Sequence, residues 1–85
     1  MRITVYTTPT CTSCPREIQR LRERGIDPEI IDVTGDEQAY ALITSLGYRG
    51  VPVTARRDDQ GQIIDHWQGH RPDKLLELTR ALTHS

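Results

Sequence analysis

Two cysteines separated by two residues, Cys11-Thr12-Ser13-Cys14, stand where a short β-rich stretch gives way to a helical repeat. Ahead of them, Ile3 and Val5 alternate with Thr4 and Tyr6, which reads as a strand closed by the break at Pro9. Behind them, Cys14, Ile18 and Leu21 recur at helical spacing, with Arg16, Glu17, Arg20 and Glu23 expected on other faces and Gly25 as the stop. A helix N-terminus offers free N–H groups and a partial positive charge, and both stabilise a thiolate. Free cysteine, with a pKa of ~8.5, is mostly thiol at neutral pH, and such a position lowers that value. Cys11 comes first and is expected to be exposed and to attack. Cys14 lies one turn further in, on the apolar face, and is expected to be buried and to resolve the mixed disulfide. The spacing lets the two sulfurs meet without moving the backbone, and exchange then passes two electrons. Pro15 removes one early helical hydrogen bond, which a first turn tolerates, and fixes the helix start. Thr10, Thr12 and Ser13 surround the pair and are expected to line the surface a partner touches.

The remaining chain alternates strand and helix signals. Pro28 to Val33 reads as a second strand. Thr34-Gly35-Asp36-Glu37 spells a capping box with Thr34 at the cap. Ala39, Leu42, Ile43 and Leu46 form the next helix's apolar stripe, and Gly47 ends it. A third strand is expected from Val51 and a fourth over Gln62 to Trp67, joined by the turn Asp58-Asp59-Gln60-Gly61 into an antiparallel hairpin. Gly69 breaks the chain, Pro72 suits a first helical position, and Leu75, Leu76, Leu78 and Leu82 are expected to line a last helix. The predicted order is β-α-β-α-β-β-α, an α/β architecture with a four-stranded mixed sheet flanked by three helices. The thioredoxin fold has this order.

Composition narrows the function. Eighty-five residues are read as a single domain over residues 1–85, too small for an enzyme with its own deep cofactor pocket. Eleven basic against 12 acidic residues give a net charge of −1, which argues against nucleic-acid binding. No apolar run reaches the ~18–20 residues of a membrane span. The opening Met1-Arg2-Ile3-Thr4-Val5-Tyr6 lacks the apolar centre of a signal peptide, so a cytoplasmic location is expected. In a reducing compartment two cysteines this close mean redox chemistry or metal rather than a structural staple.

The metal alternative has partners in sequence, because His66 and His70 form an H-x3-H. The gap from Cys14 to His66 far exceeds that of a zinc finger, and surface or packing roles suit both histidines better. Trp67 is the only tryptophan; it is either a core plug facing the last helix or an apolar floor on which partners dock. Tyr6 has the same two readings. Arg49 and Arg71 are candidates for anionic partner groups.

Together these residues resemble the thioredoxin superfamily and, within it, the glutaredoxin-like NrdH-redoxins. The resemblance runs over nearly the whole chain: Ile3-Thr4-Val5-Tyr6-Thr7, Gly47-Tyr48-Arg49 followed by Pro52-Val53, and His66-Trp67-Gln68-Gly69-His70-Arg71-Pro72-Asp73. The last stretch is the most specific, since ordinary glutaredoxins carry there a paired-glycine turn and an Asp that hold glutathione. The resemblance implies a small monomeric electron donor with no bound cofactor beyond its redox-active Cys11–Cys14 disulfide. Its implied partners are NADPH-dependent thioredoxin reductase and class Ib ribonucleotide reductase. It makes Cys11 the nucleophile, Cys14 the resolving thiol and Pro52 a cis-proline that places the Val51 backbone beside Cys11. Trp67 to Pro72, with Gly69 and Arg71, then form the loop that replaces the glutathione site. Departures from the pattern are Thr12-Ser13 in place of Val-Gln, Thr8 where lysine is common, a longer charged hairpin at 56–62, and His70 in place of an aromatic. The alternatives are a glutathione-dependent glutaredoxin and, in a different class, a non-catalytic zinc or binding module.

Overall fold

A computed structural model describes residues 2–83. The elements follow the order expected: β1 (Arg2–Thr7), α1 (Cys14–Glu23), β2 (Glu29–Asp32), α2 (Glu37–Ser45), β3 (Val53–Arg57), β4 (Ile63–Gln68) and α3 (Pro72–Thr83). The strands lie in the order β2-β1-β3-β4. β1 runs parallel to β2 and antiparallel to β3, and β3 pairs antiparallel with β4.

Alternation along β1 divides the core between the two faces of this sheet. Ile3 and Val5 join Ile18, Leu21, Ile26, Trp67, Leu75 and Leu78, packing α1 and α3 on one face. Tyr6 joins Val33, Ala39, Ile43, Val53 and Ala55, packing α2 on the other. Each fully buried leucine or valine contributes about 1.5–3 kcal/mol over the exposed state.

The two glycines read as helix stops act by one mechanism. At the end of α1, Gly25 has φ +78°; its N–H donates to Arg22 O and that of Ile26 to Leu21 O. At the end of α2, Gly47 has φ +95°, with Gly47 N–H donating to Thr44 O and Tyr48 N–H to Ile43 O. Both are Schellman endings, each with an apolar contact across it, Ile26 with Leu21 and Tyr48 with the Ile43 cluster.

Several expectations need correction. The α2 cap is Asp36, whose Oδ1 accepts from Ala39 N–H at 3.0 Å. Thr34 instead closes a turn on Asp32 Oδ1, through its N–H at 2.9 Å and its hydroxyl at 2.6 Å. The aspartate competes better because it lies directly before the first helical residue. On α3, Leu75 and Leu78 are buried, whereas Leu76 and Leu82 are 50% and 39% exposed. One residue along a helix rotates about 100°, which takes Leu76 off the sheet-facing stripe. β3 begins at Val53 rather than Val51, leaving Val51 and Pro52 in the approach to the strand. Glu17, assigned to an outward face, is 1% exposed.

Candidate active site

The cysteine pair sits where β1 has ended and α1 begins. Cys11 N–H donates to Thr8 O at 3.2 Å, which turns the chain back towards the helix. Ser13 is the N-cap of α1 but makes no side-chain capping bond, and Pro15 lies in the first turn. A cysteine sulfur takes the capping place: Cys14 N–H points at Cys11 Sγ, 3.1 Å away. Ser13 Oγ lies 3.6 Å from the same sulfur. A thiolate on Cys11 therefore meets a backbone donor, a hydroxyl and the positive end of α1 together, each favouring the charged form.

Cys11 is partly exposed and Cys14 is 2% exposed. They are joined as a disulfide with Cα atoms 5.5 Å apart. One sulfur is open to an incoming disulfide and the other waits behind it, within reach once the bond is reduced.

The facing wall comes from the approach to β3. The Val51–Pro52 peptide is cis, as the resemblance implies. Val51 O lies 3.7 Å from Cys11 Sγ. Gly50 is pressed close to Gln68: a Cβ there would come within 3.0 Å of Gln68 Nε2. The third wall is the β4–α3 loop, where Gly69, at φ +72°, donates its N–H to Pro52 O at 2.8 Å. Cys11, Ser13, Cys14, Val51, Pro52 and Gly69 thus form one constellation, with Thr10 and Thr12 exposed on the loop around it.

Trp67 and Arg71, both expected at the partner-contact surface, differ in placement. Trp67 is 2% exposed and lies in the α1–α3 core, so its ring is a plug beneath the loop and offers no floor for docking. Arg71 is exposed but forms a two-pronged pair with Asp73, at 3.0 and 2.8 Å. That pairing raises the arginine pKa and lowers that of the aspartate. Tyr6 is also core, 1% exposed, with its hydroxyl accepting from Arg57 Nη2 at 2.9 Å.

The histidines go to separate neighbours. His66 Nδ1 is 2.7 Å from Tyr48 Oη, with the rings edge to face. Burial, helped by the charge of Asp65, raises the Tyr48 pKa and keeps its proton on. His70 Nδ1 is 3.1 Å from Glu17 Oε2. Among the described residues, no three His, Cys, Asp or Glu side chains are grouped as metal ligands.

The Glu17–His70 contact was missed from sequence. Its signal was positional: residues 14, 17, 18 and 21 share one helical stripe, and a carboxylate within that stripe needs a partner.

The glutaredoxin family model matches residues 3–58. The chain belongs to the glutaredoxin family. Within it, similarity runs to the NrdH group: glutaredoxin-like protein NrdH of Escherichia coli K12 is 33% identical over 81 residues, covering 95% of this chain and 93% of that protein. The gene 56 protein of Mycobacterium phage L5 is 38% identical over 84 residues, 98% of this chain and 77% of its own length. Among solved structures, the E. coli NrdH-redoxin superposes with a TM-score of 0.77 at 33% identity, over 92% of this chain and 95% of that one. Thioredoxin 1 of Thermosipho africanus, at 19% identity and a TM-score of 0.65, shares the fold. This glutaredoxin-family protein is a thiol-disulfide oxidoreductase carrying a Cys11–Cys14 redox pair.

Proposed function

We propose that the protein is an NrdH-type electron carrier that takes electrons from NADPH through thioredoxin reductase and delivers them to protein disulfides, those of class Ib ribonucleotide reductase foremost. The Cys11 thiolate attacks one sulfur of the target disulfide, forms a mixed disulfide and releases the first target thiol. Cys14 loses its proton and attacks the Cys11 sulfur, breaking the bond to the target and releasing the second thiol. The carrier is left as the Cys11–Cys14 disulfide, two electrons poorer, and the reductase restores the dithiol. An extended target segment would run past Val51 and cis-Pro52, where backbone groups are available for main-chain pairing. Thr10, Thr12 and Ser13 would flank it.

The observation that carries this reading is the tethered β4–α3 loop. Gly69 N–H is bonded to Pro52 O and His70 to Glu17, so the segment from Gly69 to Pro72 stands against the cis-proline. In ordinary glutaredoxins the corresponding stretch holds glutathione. The family match covers residues 3–58, and the likeness to NrdH continues across this loop. The E. coli NrdH-redoxin is described as having a thioredoxin-like activity profile. Thr8 supplies no positive charge for a glutathione carboxylate.

The test is ribonucleotide reduction in a mixture of class Ib reductase, NADPH, thioredoxin reductase and this protein. Deoxyribonucleotide formation is expected to rise with the protein's concentration and to saturate. No stimulation in a mixture that still reduces insulin disulfides would remove ribonucleotide reductase as the target.

A further inference from the structure

Glu17 is a carboxylate in an apolar core. It is 1% exposed, its Oε1 has no hydrogen-bond partner, and its neighbours on the helix stripe are Cys14, Ile18 and Leu21. Oε2 carries its polar contacts: His70 Nδ1 at 3.1 Å and Arg20 Nη1 at 3.3 Å. Arg20 lies on the same helix, so that pair fixes nothing beyond α1. His70 belongs to the β4–α3 loop, 53 residues away in sequence, with its side chain 40% exposed. A buried carboxylate is costly unless paired, so the carboxylate and the histidine hold each other firmly.

The contacts close a circuit around the redox pair. α1 carries Cys14 at its start and Glu17 one turn later. Glu17 holds His70; the adjoining Gly69 N–H holds Pro52 O; Val51 O comes back to within 3.7 Å of Cys11 Sγ. Without the Glu17–His70 link, the loop keeps its tie to Pro52 and loses this polar tie to the helix that bears the cysteines.

We propose that Glu17 and His70 are positioning residues for exchange with protein disulfides, clasping the Gly69–Arg71 loop to α1 so that the loop and the Val51–Pro52 shelf form one fixed wall beside Cys11. The proposal rests on protein disulfides arriving along that wall and is independent of which reductase supplies electrons. A macromolecular disulfide needs the wall, because its chain must be oriented as its sulfur reaches Cys11. A small disulfide needs only access to the sulfur.

The test uses the full chain, reduced with dithiothreitol and separated from it. Single-turnover reduction is followed against insulin and, in parallel, against 2-hydroxyethyl disulfide. Glu17→Ala and His70→Ala are each expected to raise the half-saturating insulin concentration about tenfold, with the limiting rate and the small-disulfide rate within about twofold of wild type. The double variant is expected to match either single one, since one link is removed in all three. Glu17→Gln and His70→Asn, which retain an acceptor and a donor at the two ends, are expected to restore most of the insulin affinity. Equal losses on both disulfides, additive losses in the double variant, or wild-type behaviour of His70→Ala would overturn the proposal. Should Glu17→Ala fail to fold, His70→Ala and His70→Asn make the same comparison from the more exposed end. A wild-type protein that thioredoxin reductase does not reduce would sink the donor assignment and leave this comparison intact.

Discussion

Cys11 and Cys14 are chemically the same side chain three residues apart, and their surroundings divide the labour. Cys11 has access to solvent, a backbone N–H at 3.1 Å and a hydroxyl at 3.6 Å, whereas Cys14 is 2% exposed. Cys11→Ser is therefore expected to abolish reductase turnover in an insulin assay. Cys14→Ser is expected to leave the first attack intact and to accumulate a covalent adduct with target, visible by mass spectrometry under non-reducing conditions. Full turnover by Cys11→Ser would reverse the two roles. Trp67 belongs to the same scale with a different consequence. Buried between α1 and α3, with Lys74 Nζ 5.9 Å from its ring, it is expected to lose about 3–5 kcal/mol of stability on Trp67→Ala, measured by urea denaturation. So large a loss is a substantial part of a small domain's total. The burial of Cys14 and the partial exposure of Cys11 were legible in sequence because helix position sets them. The fate of Trp67 was not: a ring at a strand end can face in or out, and only the packing of α3 over β4 decides it.

At the scale of elements, the order of strands and helices was legible throughout, since periodicity and the glycine stops Gly25 and Gly47 act locally. Caps were harder to read. Thr34 and Asp36 are both good capping residues two positions apart, and the turn that Asp32 forms with Thr34 removes Thr34 from contention. Asp36→Ala is expected to cost about 1 kcal/mol, lowering Tm by roughly 4–8 °C, while Asp36→Asn keeps most of that stability. Thr34→Ala leaves the α2 cap in place, so a larger loss from it than from Asp36→Ala would contradict the assignment. The position of Glu17 shows another limit of local reading. It was expected on an outward face with the other charged residues of α1, and the histidine that makes its burial tolerable comes from a loop 53 residues on.

For the whole molecule, the paired carboxylates contribute to how stability responds to acid. Burial pushes the Asp65 pKa up, but the Lys74 bond at 2.8 Å and the His66 N–H at 2.9 Å outweigh it and leave the pKa lowered. The Asp32 pKa is lowered by the Thr34 hydroxyl and N–H, and that of Asp73 by Arg71. A carboxyl whose pKa is lower folded than unfolded stabilises the fold fully above its unfolded value, near 3.8 for aspartate, and loses that contribution as pH falls through the folded value. Stability is thus expected to be flat in this respect above about pH 5 and to fall below about pH 4. Asp65→Asn is expected to make the acid limb of a Tm–pH curve shallower, and an unchanged limb would show that the pair with Lys74 contributes nothing there. No described helix is long and apolar enough to cross a membrane. Which donor feeds the Cys11–Cys14 pair is decided most directly by a paired turnover assay on insulin. One arm supplies NADPH with thioredoxin reductase, and the other supplies NADPH, glutathione and glutathione reductase. Turnover in the first arm alone is the predicted result; turnover in the second alone would make the protein a glutathione-dependent glutaredoxin and contradict the NrdH-type assignment.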